Sequence, residues 1–343
     1  MLINTNMKKN IAIIAGGDSS EYGVSLRSAA GIESFLCHEQ YDITIVLLRG
    51  NDWKAKVGED KWVAIDKNDF SFIHNGVKNT FDFAYITIHG TPGENGLLQG
   101  YFDMLGIPYS CCGVLAAAMT FNKYTCNHYL KGFGVRVAES VLLRKAKGER
   151  LEVKGEDIIE QVGLPCFIKT NVGGSSFGVT KVKTVEEVQP AIDKAFAEGD
   201  EVICEAFMKG VEITCGVYKT KNKAVAFPIT EVVTSNEFFD YDAKYNGQVD
   251  EITPARISDE VRNKVQALTL KIYDILGCKG IIRVDYILTG DEAKGERLEI
   301  NLLEVNTTPG MTATSFIPQQ IRAAGLDIKE VLSDIIEDQL LNS

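Results

Sequence analysis

Two short segments in the C-terminal third of the chain carry polar residues at alternate positions of apolar runs. Arg283 and Asp285 lie in Ile-Ile-Arg-Val-Asp-Tyr, and Glu304 and Asn306 lie in Leu-Leu-Glu-Val-Asn-Thr-Thr-Pro. If both segments are strands, each polar pair projects from one face, and neighbouring strands bring the four side chains together. Two carboxylates and an amide oxygen are hard ligands that suit Mg²⁺ alongside substrate phosphates. The guanidinium beside them could hold an oxyanion or a transferring phosphoryl group.

The same alternation has a plainer interpretation, in which both segments are ordinary amphipathic strands with solvated charges. Asn306 argues against it, because Asn is a poor strand residue. The Thr-Thr-Pro-Gly sequence after Asn306 also ends the strand sharply. The pattern therefore favours a metal site formed by Asp285, Glu304 and Asn306.

A glycine- and serine-rich loop follows the apolar run that contains Lys169. The loop reads Asn-Val-Gly-Gly-Ser-Ser-Phe-Gly over residues 171–178. Small residues let backbone N–H groups approach phosphate oxygens closely, and Lys169 adds positive charge. The lysine precedes the glycines, so this is not a Walker A motif. A plain hairpin tip is the alternative, but a lysine on an apolar strand favours an anionic ligand.

Three further segments have residue types that suit ligand binding. Residues 205–212 could offer backbone groups to an adenine edge and Glu212 to ribose hydroxyls, although a charged strand end is an equal alternative. Glu21 follows a glycine turn at the carboxyl end of the first predicted strand, where open α/β sheets bind ligands; a helix-capping acid is the alternative. His89 lies in a glycine-rich loop after a strand, although a lone histidine is more often structural.

The order of predicted elements indicates the α/β fold class. Strands at residues 8–15, 41–48 and 83–88 alternate with helices, which predicts a doubly wound parallel N-terminal sheet. A polar loop is predicted at residues 236–253 and a long helix at 258–276. Three domains are predicted, with the ranges 1–122, 123–210 and 211–343.

Composition narrows the class of protein. The chain has 343 residues, of which 45% are hydrophobic and 24% charged, as in ordinary globular enzymes. The net charge of −11 and the lack of a basic stripe argue against nucleic-acid binding. No apolar run is long enough for a membrane span, and the N-terminus lacks a signal-peptide pattern. Eight cysteines without a CxxC pair are typical of reduced thiols in the cytoplasm.

Taken together, the segments resemble the D-alanine–D-alanine ligases of the ATP-grasp superfamily. The resemblance covers nearly the whole chain, and its motifs follow in order: Gly-Gly-x-Ser-x-Glu21, His89-Gly-x-x-Gly-Glu, Asn122-Lys123, Lys169 with the loop to Gly178, Tyr241-x-Ala-Lys244-Tyr245, Arg283-x-Asp285, and Glu304-x-Asn306-Thr-x-Pro-Gly-Met311-Thr to Ser315. Each motif is weak alone, but the ordered set is specific.

The resemblance implies a three-domain ATP-grasp architecture and the ATP-dependent joining of two D-alanine molecules through an acylphosphate. The product is a precursor of peptidoglycan. The resemblance also implies two Mg²⁺ ions, with Mn²⁺ as a substitute. The predicted partners are ATP and D-alanine, without nucleic acid or membrane. A homodimer in the bacterial cytoplasm is predicted.

The resemblance also implies roles for residues. Lys123 and Lys169 would contact ATP phosphates, and the adenosine would be held by Glu205, Phe207, Met208 and Glu212 with help from Lys244. The two Mg²⁺ ions would be bound by Asp285, Glu304 and Asn306. Glu21 would bind the ammonium of the first D-alanine, and Arg283 with the Gly310 amide would form an oxyanion hole. The carboxylate of the second D-alanine would meet Ser315 and Phe316, with His89 also in the substrate site. Ser175 and Tyr245 would connect the closed lid to Glu21.

Some positions depart from the family pattern, and two other functions stay open. Tyr22, Gly23, Thr170 and Gly173 stand where the family usually has other residues. Another ATP-grasp ligase, joining a different amino acid or a hydroxy acid, is one alternative; Tyr245 bears on it, because Tyr there accompanies dipeptide synthesis and Phe favours the ester. The other alternative is a nucleotide-binding regulatory protein without turnover, against which the complete polar cluster argues.

Overall fold

The computed structural model describes residues 8–146, 149–173, 178–234, 249–290 and 296–341. The first elements in the chain are β1 (Lys9–Gly16), α1 (Tyr22–Phe35), β2 (Tyr41–Arg49), β3 (Asp52–Gly58), β4 (Lys61–Ala64), β5 (Phe72–His74), β6 (Val77–Asn79), β7 (Phe83–Ile86), α2 (Leu97–Leu105), α3 (Val114–Phe121) and α4 (Lys123–Lys131). Next come β8 (Ser140–Arg144), α5 (Gly155–Val162), β9 (Cys166–Thr170), β10 (Thr180–Val182), a 3₁₀ turn (Val185–Glu187), α6 (Val188–Glu198) and β11 (Glu201–Ala206). The remaining elements are β12 (Gly210–Lys219), β13 (Ala224–Ala226), β14 (Thr230–Thr234), β15 (Val249–Ile252), α7 (Asp259–Ile275), β16 (Ile281–Thr289), β17 (Glu299–Asn306), α8 (Phe316–Ala323) and α9 (Ile328–Leu341).

The N-terminal sheet is built on three parallel strands in the order β2-β1-β7. Alternate residues of β1 enter two different cores: Ile11 and Ile13 pack with α1 and α9, whereas Ala12 and Ile14 pack with α2. Helices therefore cover both faces, which confirms the predicted α/β class and the parallel core. The antiparallel strands β3 and β4, which extend the sheet beyond β2, were not predicted.

The second sheet is antiparallel and has the strand order β10-β9-β11-β8. Its core contains Ile168 and Val202 from the strands and Ile158 and Ile192 from α5 and α6. The predicted strands around residues 166–170, 179–182 and 202–207 are present within one residue. This sheet positions Lys169 at the end of β9, next to the glycine-rich loop.

The third sheet has the order β15-β14-β12-β16-β17, with β13 beside β12. Helix α7 covers one face, and Ser258 caps it by accepting a hydrogen bond from the Val261 N–H at 3.4 Å. Ile282, Val284 and Tyr286 of β16 enter the core beneath α7. Residues 283 and 285 therefore project from the opposite face.

One predicted element differs from the structure. The predicted loop 236–253 is wrong at its end, because residues 249–252 form strand β15, which pairs with β14. The three sheets lie within residues 9–86, 140–206 and 210–306, and the exact domain limits remain a prediction. In the described part of the chain, no helix is both long and apolar enough to cross a lipid bilayer.

Candidate active site

The two polar segments lie on neighbouring antiparallel strands, which meets the condition under which the four side chains were expected to come together. Arg283 of β16 is paired with Asn306 of β17, and Asp285 is paired with Glu304. The four side chains therefore stand in two adjacent cross-strand pairs on one face of the sheet. This places two carboxylates, one amide and one guanidinium together.

The Arg283 and Asp285 side chains form a buried bidentate ion pair. Arg283 Nε and Nη2 donate to the two Asp285 oxygens, each at 2.8 Å, and the residues are only 9% and 5% exposed. Burial acts to lower the pKa of Arg283, but the charge and hydrogen bonds of Asp285 outweigh it and hold that pKa above its ordinary value. Asp285 also accepts hydrogen bonds from Thr214 Oγ1 at 2.5 Å and Asn306 Nδ2 at 3.0 Å. The guanidinium is thus permanently charged and rigidly oriented.

Lys123, the first residue of α4, reaches the same cluster from another part of the chain. Its Nζ lies 3.9 Å from Glu304 Oε2 and donates to the Gly173 carbonyl oxygen at 2.7 Å. Burial lowers the pKa of Lys123, and the Glu304 charge opposes that effect. Lys123 therefore links the metal candidates to the start of the glycine-rich loop.

A cavity of about 560 Å³ lies over these groups. It is lined by nine of the predicted site residues: Glu21, His89, Lys123, Arg283, Glu304, Asn306, Gly310, Ser315 and Phe316. They come from the ends of α1 and β7, from α4, β16 and β17, and from the loop before α8. Asp285 does not line the cavity but contacts Arg283, which does.

The loop between β17 and α8 closes one side of the cavity. Ser315 Oγ accepts from the Thr312 N–H at 3.1 Å and lies 2.7 Å from Thr312 Oγ1. The Phe316 ring lies 5.3 Å from Arg283 Cζ, within range of a cation–π contact. The loop thus presents a hydroxyl and an aromatic face beside the guanidinium.

Helix α1 and the His89 loop are joined to that segment by tight contacts. His89 is 7% exposed and its Nε2 lies 3.3 Å from Ser28 Oγ, which accepts from the Met311 N–H at 3.3 Å. A Cβ atom at Gly31 would lie only 2.2 Å from the Met311 carbonyl oxygen. His89 therefore supports the shape of the cavity as well as lining it.

Apart from Lys123, the predicted nucleotide residues that the structure describes lie outside the cavity lining, around β9, β11 and the start of β12. Lys169 forms a buried ion pair with Glu205, whose other oxygen lies 3.5 Å from Asn127 Nδ2. The Phe207 ring lies 5.8 Å from the Phe167 ring at an interplanar angle of 59°, and the Lys181 ammonium lies 4.4 Å from the Phe207 ring centre. Met208 follows β11, and Glu212 on β12 is paired with Ile287 of β16. Lys169, Glu205 and Phe207 thus lie close together at the paired strands β9 and β11.

Three predicted residues, Ser175, Lys244 and Tyr245, lie outside the described residues, so their roles remain predictions. Conversely, the structure adds acidic residues to the cavity that were given no role. Burial raises the pKa of Glu94 to about 8, although a hydrogen bond from the Gly90 N–H at 2.7 Å lowers it. Burial also raises the pKa of Glu251, against the lowering effect of a hydrogen bond from Gln319. Glu94 was visible in the His-Gly-x-x-Gly-Glu motif, whereas Glu251 was hidden in the predicted loop.

Comparison with protein families gives two matches that together span most of the chain. Residues 10–112 match the family described as the D-ala D-ala ligase N-terminus, and residues 129–337 match the D-ala D-ala ligase C-terminus. The chain is 67% identical over 333 residues to a D-alanine–D-alanine ligase of Bacteroides fragilis, covering 97% of this chain and 100% of the relative. It is 63% identical over 336 residues to the ligase of Parabacteroides distasonis, covering 98% and 99%.

Solved structures with the same fold include ligases of related names. The VanG D-Ala:D-Ser ligase from Enterococcus faecalis is 30% identical with a TM-score of 0.82, covering 96% of this chain and 99% of that one. D-alanyl-alanine synthetase A from Vibrio cholerae is 27% identical with a TM-score of 0.84, covering 98% and 99%. A D-alanine–D-alanine ligase from Bacillus anthracis complexed with ATP is 28% identical with a TM-score of 0.75, covering 97% and 98%.

Proposed function

The chain belongs to the D-alanine–D-alanine ligase family and is an ATP-dependent ligase that joins two D-alanine molecules for cell-wall precursor synthesis, and we propose that the cavity above β16 and β17 is where this reaction occurs. The observation that supports this location best is the pairing of Arg283 and Asp285 with Asn306 and Glu304 beneath a cavity that also receives Lys123 and Glu21. The predicted activity is confirmed by the family, whereas the residue roles below are proposals.

The donor set fits two Mg²⁺ ions, for which Mn²⁺ could substitute. Asp285 already accepts four hydrogen bonds, one of them from the Asn306 amide nitrogen. Rotating the Asn306 amide would replace that donor by an oxygen, so that hard oxygens of Asp285 and Asn306 stand side by side near Glu304. Phosphate oxygens of the nucleotide would complete the coordination, because Mg²⁺ is usually held by one or two carboxylates together with substrate phosphates. When bound, the ions would neutralise phosphate charge.

The nucleotide site would extend from the cavity toward the second sheet. Lys123 and Lys169 would contact the ATP phosphates together with backbone N–H groups of the loop that begins at Gly173. The base and ribose would be held by Glu205, Phe207, Met208 and Glu212, with Lys244 assisting. The ion pair of Lys169 with Glu205 supports this arrangement, because both side chains must be oriented before the nucleotide binds.

The two D-alanine molecules would occupy the cavity itself. Glu21 would bind the ammonium of the first, and His89 would support that part of the wall. The carboxylate of the second would meet Ser315 and the start of α8 at Phe316, where helix N–H groups favour an anion. Ser175 and Tyr245 would close the site over both substrates, as predicted from the sequence.

In the reaction, the carboxylate of the first D-alanine attacks the γ-phosphoryl group of ATP, so that an acylphosphate forms and ADP leaves. The neutral amine of the second D-alanine then attacks the acyl carbon, and the peptide bond forms with loss of inorganic phosphate and a proton. Arg283 is suited to stabilise the oxyanion of that step, because Asp285 holds its fork in place and the guanidinium remains charged at all relevant pH values. The Gly310 amide, on the same cavity wall, would donate the second hydrogen bond.

Location and assembly are also proposals. A cytoplasmic location follows from the use of ATP. A homodimer is supported by three large apolar side chains that project from α2 and α3: Leu97, Met104 and Leu115 are 63%, 81% and 74% exposed. Light scattering of the purified chain, with Leu115→Lys for comparison, would test it; a monomeric wild type would contradict it.

The proposed reaction is tested by following ADP and product formation with ATP, Mg²⁺ and single or paired substrates. D-Alanine alone should give D-alanyl-D-alanine with one ADP per dipeptide. Pairs of D-alanine with D-serine and with D-lactate should be included, because a D-Ala:D-Ser ligase shares this fold at 30% identity. Preferential formation of D-alanyl-D-serine or of the D-lactate ester would contradict the proposed substrate pair.

A further inference from the structure

A cluster of hydrogen bonds beside the cavity is centred on the buried amide of Asn171. This side chain is 0% exposed, and both its amide oxygen and its amide nitrogen form hydrogen bonds. Its Oδ1 accepts from the Tyr124 N–H at 2.8 Å, and its Nδ2 donates to Glu201 Oε2 at 2.6 Å. The backbone of Asn171 repeats the connection, because its carbonyl accepts from the Lys123 N–H at 3.1 Å and its N–H donates to the Glu201 carbonyl at 2.9 Å. Asn171 therefore ties the start of α4 to the start of β11.

Glu201 is the acceptor that completes this cluster. Its Oε2 also accepts from Asn122 Nδ2 at 3.2 Å, and its Oε1 accepts from Arg144 Nε at 2.5 Å. Asn122 in turn caps α4, because its Oδ1 accepts from the Thr125 N–H at 2.9 Å. A single carboxylate thus receives three N–H donors from three separate segments of the chain.

The cluster fixes both partners of one contact in the proposed ATP site. Lys123 lies between Asn122 and Tyr124, which are both held. Gly173, whose carbonyl accepts from Lys123 Nζ at 2.7 Å, is two residues beyond Asn171. An isolated antiparallel bridge between Asn122 and Val172 adds a further link. The ammonium of Lys123 and the first glycine of the loop are therefore positioned by the same group of hydrogen bonds.

We propose that Glu201, acting through Asn171 and Asn122, is a positioning residue that sets the distance between Lys123 and Gly173 and so determines how tightly ATP phosphates bind. Glu201 does not line the cavity. The proposal rests on the phosphate-binding role of Lys123 given above. It requires a carboxylate, because only an acceptor with two oxygens can receive the amides on one side and the guanidinium on the other.

Glu201→Gln is the direct test, because glutamine has the same shape but must turn its amide nitrogen toward another donor. The KM for ATP should rise about tenfold, equivalent to about 1.4 kcal/mol. The Kd for ADP, measured by calorimetry without turnover, should rise by a similar factor. The KM for D-alanine and the thermal unfolding midpoint should stay near the wild-type values. An unchanged Kd for ADP, or an equal loss of affinity for both substrates, would overturn the proposal.

Asp193→Asn is the matched control. Asp193 is also a carboxylate paired with an arginine in this part of the chain, with Arg150 Nη2 at 2.8 Å and Gln189 Nε2 at 2.9 Å. Among the described residues, Asp193 is bonded to neither Lys123 nor Gly173, so ADP affinity should not change. A loss of affinity equal to that of Glu201→Gln would assign the effect to general loosening of the fold and reject the proposal.

Two further variants separate positioning from stability and from the proposed function. Asn122→Ser keeps a good helix cap but removes the amide that donates to Glu201, so the Kd for ADP should rise about threefold even if Glu201→Gln folds poorly. In a Lys123→Ala background, Glu201→Gln should weaken ADP binding by less than twofold. Full additivity of the Glu201→Gln and Lys123→Ala effects on ADP binding would reject the positioning role. A wild-type Kd for ADP in Asn122→Ser would reject it as well. A wild-type enzyme that forms no ADP with D-alanine would instead reject the proposed function.

Discussion

Asp285 and Glu304 face each other across β16 and β17, and the register of the two strands shifts immediately beside that pair. Tyr286, the residue after Asp285, is paired with Leu302, so Leu303 is an additional residue in β17. Such bulges redirect side chains and often lie next to functional sites. Here Leu302 and Val305 both enter the core although they are three residues apart, and Glu304 and Asn306 remain on the cavity side. The bulge therefore lets Leu302 face the core while Glu304, two residues later, faces the cavity.

The paired geometry of Arg283 makes it sensitive to replacement by lysine. A lysine ammonium cannot form the two parallel hydrogen bonds that Arg283 makes to Asp285. Its N–H donors would therefore not be held in a fixed direction toward the oxyanion. We expect Arg283→Lys to lower kcat about 100-fold, the usual effect of removing an oxyanion donor. Steady-state kinetics of D-alanine-dependent ADP formation measure this.

Arg256→Lys is a suitable comparison, because the Arg256 side chain also donates two hydrogen bonds to one carboxylate, that of Glu231. Unlike Arg283, the Arg256 side chain is largely exposed. That variant should keep kcat within about twofold, since exposed ion pairs contribute little. An Arg283→Lys enzyme as active as Arg256→Lys would show that Arg283 does not act on the transition state.

The close approach of α1 to the loop that carries Gly310 predicts a strong effect of one added methyl group. At Gly31 a Cβ atom would lie 2.2 Å from the Met311 carbonyl oxygen, so the loop or the helix must move. Gly31→Ala should lower the free energy of unfolding by roughly 1–3 kcal/mol despite the better helix propensity of alanine. It should also lower kcat, because Gly310 is displaced.

Gly23→Ala provides the control within the same helix. The nearest atom to a Cβ at Gly23 is Arg27 Nη1 at 3.6 Å, an ordinary contact. The free energy of unfolding measured with urea and the kcat should both be lower in Gly31→Ala than in Gly23→Ala. Equal effects of Gly31→Ala and Gly23→Ala on stability and kcat would show that the contact between α1 and the loop is not rigid.

The buried carboxyl of Glu94 predicts a pH dependence of stability. Its pKa is about 8 in the folded protein and ordinarily 4.5, so between these values the folded state retains a proton that the unfolded state has released. The free energy of unfolding should therefore fall as pH rises from about 4.5 to about 8. Glu94→Gln, which can still accept the Gly90 hydrogen bond, should reduce this slope.

Thermal unfolding of the ligand-free protein from pH 5 to pH 9 measures the effect. The Glu94→Gln variant should gain stability relative to wild type toward pH 9, whereas Glu139→Gln on the exposed surface should follow wild type. Parallel curves for wild type and Glu94→Gln would mean that Glu94 is ionised in the folded protein near neutral pH.

Sequence reasoning located the chemistry of the site better than its geometry. The alternation of Arg283 with Asp285 and of Glu304 with Asn306 was sufficient to predict that each pair shares a strand face, because residue spacing on a strand fixes the face. That the two strands are neighbours was only a condition at that point. The bulge at Leu303 could not be predicted, because the run Leu302-Leu303 does not show which leucine faces the core. The strand that carries Glu251 was missed because a polar sequence can still pair at a sheet edge.

The sequence also did not show which polar side chains are buried by contacts with distant parts of the chain. Nothing in the local sequence shows that Asn171 is fully buried or that Glu201, thirty residues later, accepts its amide. The pKa of Glu94 likewise depends on its burial in the folded chain. Motif order identified the family, but only tertiary structure separates residues that contact substrates from those that position them.

We propose that Glu304, opposite Asp285, belongs to a magnesium-dependent catalytic centre. Phosphate release at saturating ATP and D-alanine, titrated with Mg²⁺, tests it most directly in wild type and Glu304→Gln. Removal of a carboxylate ligand should cost several kcal/mol of transition-state stabilisation. We expect Glu304→Gln to lose at least about 100-fold in kcat and to need far more Mg²⁺, with a thermal midpoint within about 3 °C of wild type. A folded Glu304→Gln enzyme with a near-wild-type rate at ordinary Mg²⁺ would contradict the account.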